Sequence, residues 1–342
     1  MKSLILKNDG YAAERPDSMV LEDLSNFVEY GDLPEPEPAE DEVKLKVLLA
    51  SVNPSDEMFI QGLYGQPRIA GNGAGFEGVG KVVASGGGPV ADGLKGLRVA
   101  FVAMPGKPGA WSEYSIANAA TCIPLIDGVS DTDGAAMIVN PLTALAMFDL
   151  VKKNGTKSFI VSAGASQLCK LMISAARDEG YAPIALVRRD HQIALLKDLG
   201  AAHVLNTEDA AFQSELRTLM RQEKPRIFLD AVANNTSAVV FDSMPNKARW
   251  VIYGKLDDQL PTIIQPGQMI FQSKSIEGFW LTRWMQETSM ADKISVIQNA
   301  QKRFASGEWS TDVTSIVPLS DAIAQLPELL AKPDGKVFIK PD

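Results

Sequence analysis

The sequence predicts an α/β protein in two parts, a β-rich unit and a doubly wound domain with a parallel sheet. Two observations carry this. From the start to about Ile126 the chain is a series of short β-like runs broken by Gly and Pro. From about Gly128 onward, apolar runs alternate with amphipathic helices. A chain of 342 residues holds two cores comfortably.

In the first part LILKND, EVKLKVLLASV, VGKVVASGG, LRVAFVAM and WSEYSIA read as strands of a mostly antiparallel unit. PEPEPAEDE, from Pro34, reads as an extended Pro-rich connector, a solvated loop. In the second part DTDGAAMIVNPLTALAMFDLVKK reads as helical. SFIVSA, APIALV, HVLN, RIFLDAV, ARWVIYG and SIEGFW then read as strands with helices between them. In the helix after Thr207, residues Phe212, Leu216, Leu219 and Met220 fall on one stripe at helical spacing, a buried face. Strands of this kind alternating with helices give a parallel sheet covered on both faces, the frame of a dinucleotide-binding domain. The last strand, KVFIK, is expected to pack back on the N-terminal unit. The expected domains are therefore 1–127 with 283–342, and 128–282.

Composition narrows the class. Apolar residues make up 46% and charged residues 22%, as in a soluble globular protein, and no run approaches a membrane span. A net charge of −9 argues against nucleic acid as a partner. Cys122 and Cys169 stand far apart, and His191 and His203 have no metal-ligand spacing, so no metal is expected. The start, MKSLILKNDG, carries neither signal-peptide nor transit-peptide character, and a cytoplasmic protein is expected.

The turn after SFIVSA, aligned to G-x-G-x-x-G, reads Gly164-Ala165-Ser166-Gln167-Leu168-Cys169. The tight-turn glycine is present. Ser166, small and able to donate a hydrogen bond, stands where the backbone would approach a pyrophosphate. Cys169 replaces the packing glycine, on the margin of a buried stripe of Leu168, Leu171, Met172, Ala175 and Ala176. Gln167 falls in the first helical turn, where unsatisfied N–H groups and the dipole favour an anion. Its amide either adds a donor to phosphate or simply begins a solvated helix. After APIALV, Arg188 and Arg189 precede Asp190, where an NAD site would place a carboxylate on the ribose. Two guanidiniums suit a 2′-phosphate, which makes NADPH the expected cofactor, with an exposed basic turn as the alternative.

Several phrases then occur together: NPSD at Asn53–Asp56, QGLYG at Gln61–Gly65, GFEGVGKVVASG from Gly75 and GAWSEY from Gly109. VNPLTA from Val139, LKDLGAAHVLN from Leu196 and GFWLTRW from Gly278 complete the set. In these phrases, which span nearly the whole chain, the sequence resembles the zinc-independent medium-chain dehydrogenase/reductases, the branch of quinone oxidoreductases and 2-enoyl thioester reductases. NPSD, VNPLTA and GFWLTRW look closest to the enoyl thioester reductases.

The resemblance implies a GroES-like catalytic unit split around a Rossmann domain, with the active site in the cleft between them. Zinc-bearing relatives carry a cysteine matching Asn53 and a histidine matching Phe76, neither of which is here. It further implies that Tyr64 lies by the substrate as proton donor and that Asn53 lines the cleft near nicotinamide and substrate. Thr143 would approach the nicotinamide ribose. Phe279 and Trp280, at a strand end, would meet the nicotinamide carboxamide and wall the substrate pocket, and Tyr253 likewise reaches a strand end. Read from the residues alone, Tyr64 also fits a ring plugging a loop, Thr143 helix packing, and Phe279 with Trp280 an aromatic core edge or subunit interface. Asp56 is expected to brace the NPSD turn, and Trp284 to pack. Lys336 resembles a family Gly-Lys or is a solvated turn. The branch generally carries Ser-Gly-Val-Gly where this chain has Ser166-Gln167-Leu168-Cys169.

The expected activity is zinc-independent hydride transfer from NADPH to an electron-poor conjugated acceptor, a quinone, an enone or a 2-enoyl thioester. A homodimer joined at the edge of the Rossmann sheet is expected, with no nucleic-acid or membrane partner. The alternative is a catalytically inactive nucleotide-binding or structural protein on the same fold, motivated by the altered glycine turn.

Overall fold

EVKLKVLLASV forms an 11-residue strand, Glu42–Val52, around which the first unit is organised. It pairs antiparallel with Glu77–Ser85, with Tyr114–Asn118 and, near its end, with Lys336–Lys340. Val313–Pro318, Arg98–Val102 and Ile123–Pro124 complete a seven-stranded sheet, in which only the pair Val313–Pro318 and Lys336–Lys340 runs parallel. KVFIK thus joins the sheet of the N-terminal unit. Val43, Leu45 and Val47 alternate into one core, which Ala50 and Val52 continue past a register shift, while Leu49 packs with Val79 and Phe338. The PEPEPAEDE connector is a largely exposed loop, as expected, and its Glu35 and Glu37 both pair with the ammonium of Lys44. This computed structural model describes residues 1–341 apart from 15, 17, 19, 264 and 332–334.

The second unit holds six parallel strands in the spatial order His203–Asn206, Ala182–Val187, Ser158–Val161, Ile227–Asp230, Arg249–Ile252 and Ser275–Gly278. Numbered along the chain this is 3-2-1-4-5-6, the Rossmann order, with the switch point between Ser158–Val161 and Ile227–Asp230. Phe159, Ile160 and Val161, and Ile227, Phe228 and Leu229, are buried without alternation, since helices cover both faces. Phe212, Leu216, Leu219 and Met220 are buried along Phe212–Glu223.

The long helical run predicted from Asp131 divides into two helices, Asp131–Ala135 and Val139–Lys153. Pro141 explains the break. In one continuous helix its ring would strike the carbonyl four residues back, whereas in the first turn of a new helix its missing N–H removes no bond. The two units are Met1–Val139 with Ile297–Asp342, and Asn140–Val296. These boundaries fall later than 127/128 and 282/283 for packing reasons. Ala135 and Ala136, beyond the expected first boundary, pack with Leu49, Val79 and Phe338 of the first sheet.

Candidate active site

In the first unit, Pro54 opens the helix Pro54–Ile60 with Asn53 extended before it. The Asn53 N–H donates to Asp56 Oδ2 at 2.9 Å, and the Phe76 N–H donates to Asp56 Oδ1 at 2.7 Å. Asp56 therefore braces the turn and binds it to the neighbouring strand. Burial pushes its carboxyl up to about 7, against these two hydrogen bonds and the charge of Lys336. Burial and the nearby Asp56 raise Glu57 to about 7 as well.

The Asn53 side chain faces inward. Its Nδ2 donates to Ser51 Oγ and to Glu77 Oε1, both at 3.0 Å, and its Oδ1 accepts from the Lys336 ammonium. Glu77 Oε1 also accepts from the Ser51 hydroxyl at 2.8 Å, while Oε2 accepts from the Ile138 and Val139 N–H groups. The expectation that Asn53 lines a ligand cleft is corrected here: the residue is 1% exposed, and its amide serves a buried charged cluster that requires its donors. Lys336 belongs to that cluster and not to a solvated turn.

Tyr64 is half-buried, with its ring tilted against Phe76 at a centroid distance of 5.1 Å. Phe76 in turn leans on Phe59 at 4.9 Å. The Leu63 N–H donates to Met58 O, and the Arg68 guanidinium donates to the carbonyls of Ile60 and Gly10, which fixes the loop. Gly62 has φ +78°, and a Cβ there would lie 2.6 Å from that guanidinium, so only glycine lets the loop close.

In the second unit, the turn after Ser158–Val161 reaches the left-handed region at Ala163, with φ 48°, and not at a glycine. Gly164 has a different task. Its N–H donates to Leu186 O at 2.9 Å, and a Cβ would lie 2.9 Å from Ala185 Cβ, so the missing side chain permits close approach to the second strand. Ala165 and Ser166 follow, and Ser166 caps the helix Gln167–Asp178 by accepting from the Cys169 N–H at 3.3 Å. This cap uses the hydroxyl's lone pair and not its hydrogen. Gln167 is the first, partly exposed residue of the helix.

Cys169 is fully buried, donates to Ser162 O at 3.3 Å and lies 3.5 Å from Tyr253 Oη. Burial raises the thiol, and burial together with the thiol raises the Tyr253 phenol well above its ordinary range. Tyr253 follows a strand end, as expected, and its hydroxyl turns inward onto the thiol.

Asp230 closes the fourth strand and is fully buried. Its Oδ1 accepts from the Ser162 hydroxyl at 2.5 Å and the Val232 N–H; its Oδ2 accepts from the Trp250 indole at 2.8 Å and the Ala233 N–H. One carboxylate thus ties the ends of the first and fourth strands together at the switch point and holds the Trp250 indole of the fifth. Sequence reading missed Asp230 and Ser162; the available signal was an aspartate ending the apolar run RIFLD. It also missed a cavity of about 430 Å³ lined by Thr207, Asp209, Phe212, Arg217, Asn235 and Thr236.

Arg188 and Arg189 are exposed at the end of Ala182–Val187. Burial works against the Asp257 carboxyl, yet bonds from Gln259 and Asn234, with the charges of Lys255 and Arg188, hold it below the usual carboxylate range. Thr143 is buried within its helix, 6% exposed. The Phe279 N–H donates to Ile252 O at 2.9 Å, so its backbone donor belongs to the sheet. Trp280 begins the helix Leu281–Glu287 just beyond the strand end, partly buried. Among the described residues no three His, Cys, Asp or Glu side chains are grouped to hold a metal, and no helix is long and apolar enough to cross a membrane.

Residues 39–127 match the alcohol dehydrogenase GroES-like domain, and residues 168–296 match the zinc-binding dehydrogenase family. A Mesorhizobium loti protein of known crystal structure, provisionally named an NADPH:quinone reductase, is 55% identical over 100% of this chain and 98% of its own, with a TM-score of 0.95. The mitochondrial enoyl-[acyl-carrier-protein] reductase of Bos taurus is 29% identical over 296 residues, covering 83% of this chain and 76% of its own. An Escherichia coli quinone oxidoreductase solved with NADPH shares the fold at a TM-score of 0.82 and 20% identity, over 100% of both chains. By its two matched segments and this kinship, the chain belongs to the zinc-independent quinone oxidoreductase and 2-enoyl thioester reductase branch of the medium-chain dehydrogenase/reductases.

Proposed function

We propose that this chain is an NADPH-dependent oxidoreductase that reduces an electron-poor conjugated acceptor, a quinone, an enone or a 2-enoyl thioester, without zinc. The observation that carries this is the intact turn at Gly164–Gln167. The close approach at Gly164 and the capped helix start at Ser166 survive the loss of two glycines, so the turn keeps a cradle that fits a dinucleotide phosphate. The same observation speaks against a lapsed, inactive protein.

In this reading the turn at Ala165 and the helix start at Gln167 hold the pyrophosphate, the Ser166 N–H being spent on Ala163 O, and Arg188 with Arg189 holds the 2′-phosphate. The cavity beside Thr207 and Asn235 takes the nucleoside end. When bound, NADPH supplies a hydride to the acceptor. The chain's own residues orient that acceptor and supply the proton. Tyr64, its ring fixed by Phe76, is the proton donor, and Trp280 contributes an apolar wall.

A homodimer through the edge strand Ser275–Gly278 completes the proposal. Beside that edge, Ile270 and Phe271 are 70% and 84% exposed, apolar surface that a second copy would cover.

The deciding experiment follows reduced-nicotinamide absorbance with an enoyl-CoA, a simple enone and a 1,4-quinone, using NADPH and NADH in parallel. Turnover preferring NADPH is expected. No turnover with any acceptor, together with no saturable NADPH binding, overturns the enzyme reading.

A further inference from the structure

Lys336 begins the strand Lys336–Lys340, next to the Val337–Val52 pairing of the central strand. It is buried, and its ammonium donates to Val52 O at 3.3 Å and to Asn53 Oδ1. The carboxyls of Glu77, Asp56 and Glu57 face it, and their attraction opposes the lowering that burial imposes on its proton affinity. Glu77 accepts from Ser51, Asn53, Ile138 and Val139, so both of its carboxyl oxygens are engaged. A buried carboxylate of this kind needs a nearby cation, and Lys336 provides it.

The ammonium also lies at one end of a short series of contacts. It holds Asn53; the Asn53 N–H and the Phe76 N–H are joined through Asp56; and Phe76 carries the Tyr64 ring. We propose that Lys336 is a positioning residue for the reduction: its ammonium fixes the Asn53–Asp56 turn and, through Asp56 and Phe76, the orientation of the Tyr64 phenol. This rests on the reading of Tyr64 as proton donor. Lys336 does not touch the acceptor; it acts by keeping the donor aimed, where small misplacements are costly to rate.

The test uses Lys336→Met, Lys336→Arg, Tyr64→Phe and the double variant Tyr64→Phe/Lys336→Met in the full chain, with NADPH titration as a check that each is folded. Tyr64→Phe and Lys336→Met are each expected to lower kcat about tenfold or more with KM within about threefold. Lys336→Arg keeps the cation and is expected to recover kcat to within about threefold of the parent. The double variant is expected within about twofold of Tyr64→Phe, because the lysine acts through the tyrosine. Full kcat in Lys336→Met, or losses that multiply in the double variant, overturns the Lys336 role and leaves the Tyr64 reading standing. An unchanged Tyr64→Phe overturns the Tyr64 reading itself and the route through it. Should Lys336→Met fail to fold, Lys336→Gln, which keeps a donor without the charge, takes its place in both backgrounds. A kcat deficit confined to the Tyr64 background then supports the proposal, and an equal deficit in both overturns it.

Discussion

The Cys169 thiol lies 3.5 Å from the Tyr253 hydroxyl and donates to the Ser162 carbonyl, behind the turn that faces the proposed phosphate site. A residue that replaces a glycine has thus become a polar link between the helix, the first strand and the end of the fifth. Cys169→Ala leaves two buried groups short of a partner and is expected to cost roughly 1–3 kcal/mol in denaturant unfolding. Because the thiol is buried and raised, the native protein is also expected to leave Cys169 unlabelled by thiol reagents until it unfolds.

Ser166 joins the turn to the helix through its cap on the Cys169 N–H. Ser166→Ala is expected to destabilise the chain by about 1 kcal/mol. It is also expected to weaken NADPH binding several-fold, read by fluorescence titration. Loss of stability with unchanged NADPH affinity would show that the cap does not shape the phosphate site.

Arg188 and Arg189 bear on cofactor choice. Replacing both with Ala is expected to raise the NADPH Kd roughly tenfold, in keeping with the strength of charge-assisted bonds, while NADH binding stays near its parent value. An equal loss for both cofactors would reject a 2′-phosphate role.

Asp56 and Glu57 give the fold a pH dependence of definite sign. Both carboxyls sit near 7 in the folded chain, above their ordinary values, so the folded state holds protons that the unfolded state releases. Their contribution to stability is full below about pH 4 and is lost as pH rises through about 7. Glu57→Gln removes one of the two groups and is expected to flatten that fall, measured as denaturation midpoints across the interval. An unaltered slope would place the Glu57 titration elsewhere.

Phe271 and Ile270 test the assembly. Phe271→Asp with Ile270→Asp is expected to shift the protein from dimer to monomer in light scattering after size-exclusion chromatography, since a charge on each copy opposes burial of that face. A parent protein that is already monomeric removes the proposal.

The phrases that identify the branch were legible because they are local. A strand followed by a glycine turn and an amphipathic helix, or a Pro opening a helix at NPSD, is written in neighbouring residues. The stripe of Phe212, Leu216, Leu219 and Met220 was legible for the same reason. Asn53 and Tyr253 were not. Both lie where a family site was expected, yet each turns its polar group inward, Asn53 to Glu77 and Lys336, Tyr253 to Cys169.

By itself, the sequence determined the division into a β-rich unit and a parallel-sheet domain, the strand sites, the phosphate turn and the branch. Periodicity and turn chemistry act over a few residues and survive as pattern. Only the tertiary structure decided which polar groups are used internally. Lys336 is 283 positions from Asn53, and Asp230 is 68 from Ser162, so no local signal joins them. A buried polar atom must find a partner wherever the fold brings one.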